Sequence, residues 1–415
     1  MEVTTTQQQC AALDAIEAWW SAPPGRESQV FRLFGYAGTG KTTIAKMVPA
    51  LLGIDGRVRF AAYTGKAAHV LQRKGCAPVS TIHSMIYRPI EVVDACPYGK
   101  ACEARDEDRG TCAHEVKHLE FMLREAIDGD FDEDAPEDGE DPRTASTCTR
   151  LIILDEVSMV GEELARDLLS FGVRVLVLGD PAQLPPVSGT GFFTQAEPDF
   201  MLTEVHRQAA ESPVLRLATS VREGQRWLWP YAQPTMADLH AAGQILVWKN
   251  ATRWSVVRTL RGALGRTAGV PMVGDRVMCI ANNRGLGVFN GQQFWVTSVA
   301  DGRFGAYELG LIDDEPRAYT LRVMADGFVD QKGEEEARRA GSRGTLAAMT
   351  FANAITVHKA QGSEWDSVIV IDESAGLEWV TNKHGEDGAL ARRTWLYTAI
   401  TRASRDVVLA DARGW

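Results

Sequence analysis

The stretch VFRLFGYAGTGKTTIAK, residues 30–46, decides the fold. A short apolar run, Val30 to Phe34, ends at a glycine, and a helical pattern follows from Lys41 to Leu52. Between them, Gly35 to Thr42 fits GxxxxGK[ST] at each fixed position. Strand, glycine-rich turn and helix start, in that order, cradle phosphates with backbone N–H groups and the positive helix N-terminus. Gly35, Gly38, Thr39, Gly40, Lys41, Thr42 and Thr43 are therefore candidate nucleotide-binding residues. Lys41 is expected to reach the β- and γ-phosphates, and Thr42 to ligate Mg²⁺.

Outward from this loop, strand and helix patterns alternate. VRFAA (58–62), LIILD (151–155) and VRVLVLGD (173–180) read as buried strands, with helical stretches such as Lys66 to Lys74 between them. That rhythm implies a parallel α/β sheet. LIILDEVSM delivers Asp155 to a strand end, where a carboxylate can hold Mg²⁺. Glu156 beside it is placed to polarise an attacking water, which favours a hydrolase over a kinase. Gln183, in LGDPAQLPPV, can orient water or phosphate, although DPAQLPP also reads as a plain turn.

The chain has 415 residues, 45% of them hydrophobic and 24% charged, so more than one globular domain is expected. The apolar runs are too short to cross a bilayer, and MEVTTTQQQ lacks the pattern of a signal peptide, so the expectation is a cytoplasmic protein without a membrane partner. Net charge is −11, but nine acidic residues and no Lys or Arg lie between Asp128 and Asp141. Without that tract the balance is 46 acidic against 44 basic, which leaves nucleic acid open as a partner without arguing for it. The tract reads as a solvated loop. Seven scattered cysteines suit free thiols in a reducing compartment.

Eight ordered segments then add up to a family pattern: GYAGTGKTT, TGKAA (64–68), STIHS (80–84), LDEVSM, GDPAQLPPV, LTEVHRQ (202–208), TVHKAQGSEWD (356–366) and LYTAITRAS (396–404). The chain resembles superfamily 1 type B helicases of the RecD-like and Dda-like branch, over roughly residues 7 to 409. The resemblance implies an ATP-driven DNA helicase that moves 5′ to 3′ along single-stranded DNA and opens duplex at a fork. Its implied architecture is two RecA-like domains, at 1–84 with 149–197 and at 198–274 with 345–415. A wedge-type insertion (85–148) belongs to the first and a small inserted β-barrel (275–344) to the second. With no nuclease- or relaxase-like segment, a monomeric motor is expected.

Residue by residue, the resemblance implies that Gln9, rather than Gln7 or Gln8, reads adenine, and that Arg207 and Arg402 reach the γ-phosphate. A guanidinium is always charged and forks onto phosphate oxygens, which suits that role. Thr64, Lys66, Thr81, His83, Thr356, His358 and Lys359 match motifs along the DNA path, where they would hold phosphate and sugar without reading sequence. Gln361 and Gly362 would link that path to the nucleotide cleft, with Glu364 a weaker candidate for contact with either.

In the insertion, residues 113–127 show a helical pattern, and Tyr87, Ile90 or Tyr98 could tip a wedge. Cys96, Cys102, Cys112, His114, His118 and Cys148 invite a zinc reading, but the cysteine gaps miss the usual knuckle, so reduced thiols are expected instead. Phe289 and Trp295 in the barrel could stack on bases; core positions are expected for both, as packing is for Trp19, Trp20, Trp227 and Trp229. Two rivals stand beside the helicase: a DNA-stimulated translocase that remodels DNA–protein complexes without unwinding, and a nucleotide-gated DNA-binding module.

Overall fold

The computed structural model describes the chain except for residues 1–4, 24, 26–27, 95–104, 107–110, 113–115, 125–126, 128–147, 186–190, 206–210, 226–230, 302–304, 314–316, 342–344 and 414. At 89–94, 105–106, 111–112, 116–121, 284 and 301 it describes the backbone alone.

The first unit opens with α1 (Gln7–Ser21), whose start is a capping box between Thr6 and Gln9. Its buried positions Gln9, Ala12 and Ile16 fall at helical spacing and dock one face on the sheet. Then come β1 (Val30–Gly35), α2 (Lys41–Leu51), β2 (Val58–Ala62), α3 (Gly65–Arg73), β3 (Val79–Thr81) and α4 (Ile82–Ile86). The insertion contributes β4 (Tyr87–Asp94), the two-residue strands β5 (Arg105–Asp106) and β6 (Thr111–Cys112), and β7 (Val116–Leu123). β8 (Leu151–Asp155), α5 (Glu162–Ser170), β9 (Arg174–Gly179) and β10 (Phe200–Leu202) complete the unit.

Six strands form a parallel sheet in the order β10-β1-β9-β8-β2-β3. Alternate residues of the central strands feed two cores. Leu151 and Ile153 join Phe31, Leu33 and Ile44 on one face, whereas Ile152 and Leu154 join Phe34, Val175 and Phe193 on the other. Helices on both faces explain why LIIL is apolar throughout. The sheet runs to Leu202, past the boundary expected at 197.

The helical pattern expected over 113–127 is overturned at Val116–Leu123. β7 pairs antiparallel with β4 along its full length, from Tyr87 opposite Leu123 to Asp94 opposite Val116. Leu119, Phe121 and Leu123 alternate with His118, Glu120 and Met122 in the sequence, and cross-strand pairing selects that period of two over the helical one.

The second unit contains α6 (Pro213–Arg222), α7 (Met236–Ala241), β11 (Gln244–Val247) and α8 (Asn250–Ala263). β12 (Arg276–Cys279), β13 (Gln293–Asp301), β14 (Ala306–Asp313), β15 (Ala318–Met324), α9 (Gln331–Ala340) and β16 (Met349–Phe351) follow. The chain then returns through β17 (Ala354–Thr356), α10 (Val357–Ala360), β18 (Trp365–Asp372), α11 (Ser374–Lys383), α12 (Gly388–Ile400) and β19 (Ala403–Asp411). β17-β11-β18-β19 is a parallel sheet, and β15-β14-β13-β12-β16 an antiparallel one that extends beyond the expected end at 344. A bridge between Val323 and Ala347 ties β15 to the residues before β16. The two sheets share one core, in which Ile245, Val247 and Trp254 pack with Phe294, Leu309 and Phe351. The inserted sheet is thus built onto the second unit.

Candidate functional site

A cavity of about 560 Å³ lies between the two units. Its first wall is the phosphate loop, α3, the β8 tip and the β9 tip; its second includes Ser212, Gly362, Ser363, Glu364 and Arg402. The loop takes its shape from local rules. Gly40 has φ +84°, and a Cβ there would stand 2.4 Å from Gln9 Nε2, so neither backbone nor space admits a side chain. Lys41 Nζ donates to the carbonyls of Gly35 at 2.6 Å and Tyr36 at 3.1 Å, which places the ammonium across the loop's mouth.

Gln9 is buried against this loop: its Nε2 donates to the Thr39 carbonyl at 3.1 Å, and its Oε1 accepts from Thr6 N–H at 3.0 Å. Each end of its amide makes one of these bonds, so one N–H and one acceptor site remain for a base. The neighbouring Gln8 instead accepts from the N–H groups of Thr203 and Glu204 at 2.9 and 2.8 Å.

At the β8 tip, Thr42 Oγ1 donates to Asp155 Oδ2 at 3.2 Å. Burial, then the adjacent Glu156 charge, raise the Asp155 carboxyl above its ordinary value, with Lys41 opposing them. A hydroxyl and a strained-to-ionise carboxylate, both hard oxygen donors, fit Mg²⁺. Glu156 is the one non-glycine with positive φ, +54°, among the described residues. That left-handed turn follows directly on the β8 tip and starts the 3₁₀ turn Val157–Met159.

Arg402, 5% exposed, comes from the second unit just after α12, and its Nη1 lies 3.8 Å from Glu156 Oε1. With its amide oriented to suit both neighbours, Gln183 donates to Glu156 Oε2 at 3.1 Å and accepts from Arg402 Nη2 at 3.3 Å. Glu156, Gln183 and Arg402, all candidate site residues, are therefore brought together from 246 residues of sequence span, between positions 156 and 402. Arg207 lies outside the described residues.

Gln361 Nε2 donates to the Leu184 carbonyl at 2.8 Å, joining the second unit to the turn that carries Gln183. Gly362 has φ +72°, and a Cβ there would meet Ala67 Cβ at 2.8 Å and Thr64 Oγ1 at 3.3 Å. Glycine at 362 thus lets α3 and the 356–362 turn touch across the cleft.

The threonines expected along a strand track share one local geometry. Thr64, Thr81 and Thr356 each follow or end a strand and cap the next helix, accepting from Ala67 N–H at 3.1 Å, Ser84 N–H at 3.1 Å and Lys359 N–H at 3.4 Å. His83 is half-buried with its ring centroid 4.6 Å from that of Tyr87. Burial lowers the His358 imidazole below its ordinary value, favouring the neutral ring.

Two cations on that expected track are turned inward. The Lys66 ammonium is buried 4.4 Å from the Trp365 ring centroid, a contact between units rather than a surface charge. Lys359 Nζ lies 3.1 Å from Glu334 Oε1, and Arg253 pairs with the other oxygen of the same carboxylate. Glu334 and Trp365 are separated in sequence from the lysines they engage, so the motifs alone did not show these contacts.

The aromatic residues of the inserted sheet also depart from expectation. Phe289 and Trp295 are each 43% exposed, whereas Phe294 and Val296 are buried. The alternation of β13 turns Trp295 outward. Trp19 and Trp20 pack on the first core. Trp227, Trp229, Tyr98, Cys96, Cys102, His114 and the tract 128–141 lie outside the described residues, as do the side chains of Ile90, Cys112 and His118.

Sequence reasoning missed Asp180 and Tyr397. Asp180 is buried at the β9 tip and accepts from Tyr397 Oη at 2.7 Å. An acid closing an apolar strand, as in VLVLGD, is the signal that could have found it. Among the described residues, no helix is long and apolar enough to cross a membrane.

The family model described as an AAA domain matches residues 24–245, and that of the UvrD-like helicase C-terminal domain matches 351–410. The ATP-dependent RecD2 DNA helicase of Deinococcus radiodurans is 27% identical over 422 residues, covering 92% of this chain and 47% of the relative. The chain therefore spans about half the length of that relative. The RecBCD enzyme subunit RecD of Mycolicibacterium smegmatis is 26% identical over 425 residues, covering 92% of this chain and 68% of its own. Among solved structures, Bacteroides Pif1 bound to ssDNA superposes with a TM-score of 0.52 at 19% identity, covering 98% of this chain and 92% of that one. A structure of two coordinating Pif1 helicases at forked dsDNA gives 0.51 at 18% identity, with the same coverages. At such identities the likeness shows the fold.

Proposed function

The chain belongs to the AAA domain family and is similar to RecD helicases in sequence and to Pif1 in fold, and on that premise we propose that it is an ATP-driven DNA helicase moving 5′ to 3′ on single-stranded DNA. The observation that carries this reading is the convergence of Glu156, Gln183 and Arg402 at the mouth of the phosphate loop, with Arg402 supplied by the opposite unit. ATP occupies the cavity with its phosphates on the loop amides. Thr42 and Asp155 hold Mg²⁺, which when bound neutralises charge on the phosphates. Glu156 accepts a proton from the attacking water, Gln183 orients it, and Arg402 stabilises the charge that develops on the γ-phosphate. The motif LTEVHRQ makes Arg207 the candidate second arginine. Because Arg402 acts only when the cleft is closed, each cycle opens and closes the two units.

The strand runs over Thr64, Thr81 and Thr356, beside His83 and His358, and the Ala67–Gly362 contact couples that track to the cleft. Lys66 and Lys359 support this surface from within. The β4–β7 ribbon is the candidate wedge, and the antiparallel sheet the candidate barrel. This assignment is supported by the position of the ribbon after STIHS and by the Val323–Ala347 bridge.

The test is ATP hydrolysis with and without single-stranded DNA. Strong stimulation that is lost in Lys41→Ala supports the motor. Nucleotide binding with hydrolysis indifferent to DNA supports a nucleotide-gated module instead.

A further inference from the structure

The cleft contains a bridge that hydrolysis itself does not use. Tyr397, carried by α12 of the second unit and 2% exposed, ends in a hydroxyl 2.9 Å from the Ala37 nitrogen and 2.7 Å from Asp180 Oδ2. Chemistry fixes the direction of both bonds. The Ala37 N–H can only donate, so the phenol oxygen accepts there and its own proton goes to the Asp180 carboxylate.

From Asp180 the bonding continues along one turn. Asp180 Oδ1 accepts from Ala182 N–H at 3.0 Å, and its carbonyl accepts from Gln183 N–H at 3.2 Å. Gln183 is the residue held between Glu156 and Arg402. The next residue on α12, Thr398, accepts from Leu184 N–H at 2.9 Å. A single helix end thus touches the phosphate loop through Tyr397, the Gln183 turn through Tyr397 and Thr398, and Glu156 through Arg402. Burial pushes the Tyr397 phenol well above its ordinary value, so it remains a donor across the physiological range.

We propose that Tyr397 is a positioning residue for closure of the cleft: its hydroxyl locks the phosphate loop and the Gln183 turn of one unit to α12 of the other, so that Arg402 arrives in register with the bound nucleotide. The proposal rests on the motor reading above. Both partners of the hydroxyl belong to the first unit, so the bridge exists only when the units are together. When they part, Ala37 N–H and Asp180 turn to water, and neither unit loses a bond of its own core. Removing the hydroxyl therefore weakens the closed state, where Asp180 is buried and Ala37 partly buried, and leaves the separate folds intact.

Tyr397→Phe in the full chain tests this, with three readouts beside wild type. Maximal DNA-stimulated turnover is expected to fall about 10- to 100-fold, from the loss of one neutral and one charge-assisted hydrogen bond. Affinity for a fluorescent ADP analogue is expected to match wild type, and the thermal midpoint to fall by no more than about 2–4 °C. Wild-type turnover, or a joint fall of turnover, affinity and midpoint, overturns the proposal; the joint fall assigns the hydroxyl a purely structural role. Small-angle scattering with a non-hydrolysable ATP analogue reads closure without turnover. Wild type should contract and Tyr397→Phe should contract less, and equal contraction overturns the proposal. Absence of hydrolysis in wild type would instead defeat the motor reading, while the scattering comparison still decides Tyr397.

Discussion

Arg402 Nη1 lies 3.8 Å from Glu156 Oε1, across the cleft between two parallel sheets that share no strand. Gln183 bridges the two side chains, so a guanidinium from one unit and a carboxylate from the other are paired where the proposed function places the γ-phosphate. Arg402→Ala is expected to keep nucleotide affinity, because the phosphate loop lies wholly in the first unit, and to lose about 10³-fold in turnover. Steady-state hydrolysis alongside nucleotide titration checks this, and near wild-type turnover would remove Arg402 from the site.

Asp155 carries a cost that its function requires. Burial and the Glu156 charge raise its carboxyl, so the folded state binds its proton more tightly than the unfolded chain does. That preference stabilises the fold fully below the unfolded value and is lost as pH rises through the folded one. At pH 7 Asp155→Asn should therefore raise the thermal midpoint, by about 2 °C or more, while hydrolysis disappears. The gain should close toward about pH 4, near the unfolded carboxyl's own value. A lowered midpoint at pH 7 contradicts the direction of this shift.

Glu334 neutralises Arg253 and Lys359 together, with Arg253 fully buried. Glu334→Gln leaves two cations without their carboxylate and is expected to cost about 3–5 kcal/mol, as for other broken buried pairs. Urea unfolding measures it. A change of a few tenths would mean that solvent reaches the cluster.

The alternation of β13 makes a paired prediction. Phe294→Ala removes a buried ring and is expected to cost about 3–5 kcal/mol, whereas Trp295→Ala, with its half-exposed ring, should cost under about 1.5 kcal/mol. Equal costs by the same urea measurement would place both rings in the core.

These cases mark what could be read along the chain. The phosphate loop, Asp155 and Glu156 were legible because their chemistry is local: a strand, its tip and a glycine turn occupy adjacent positions. Arg402 was legible through its motif, and the strands β12 to β15 through turn residues and β-rich runs. Tyr397 was not, since its meaning lies in partners 360 and 217 residues away. The inward contacts of Lys66 and Lys359 were not legible because Trp365 and Glu334, which engage them, lie outside the motif that carries each lysine. The pattern over 113–127 fitted two periods, and only pairing with β4 decides between them.

The most direct test of the account is strand separation with matched duplexes bearing a 5′ or a 3′ single-stranded tail, with ATP and Mg²⁺. The account predicts ATP-dependent opening of the 5′-tailed duplex, little opening of the 3′-tailed one, and loss of both in Lys41→Ala. Opening from the 3′ tail alone, or DNA-stimulated hydrolysis with neither duplex opened, would contradict it.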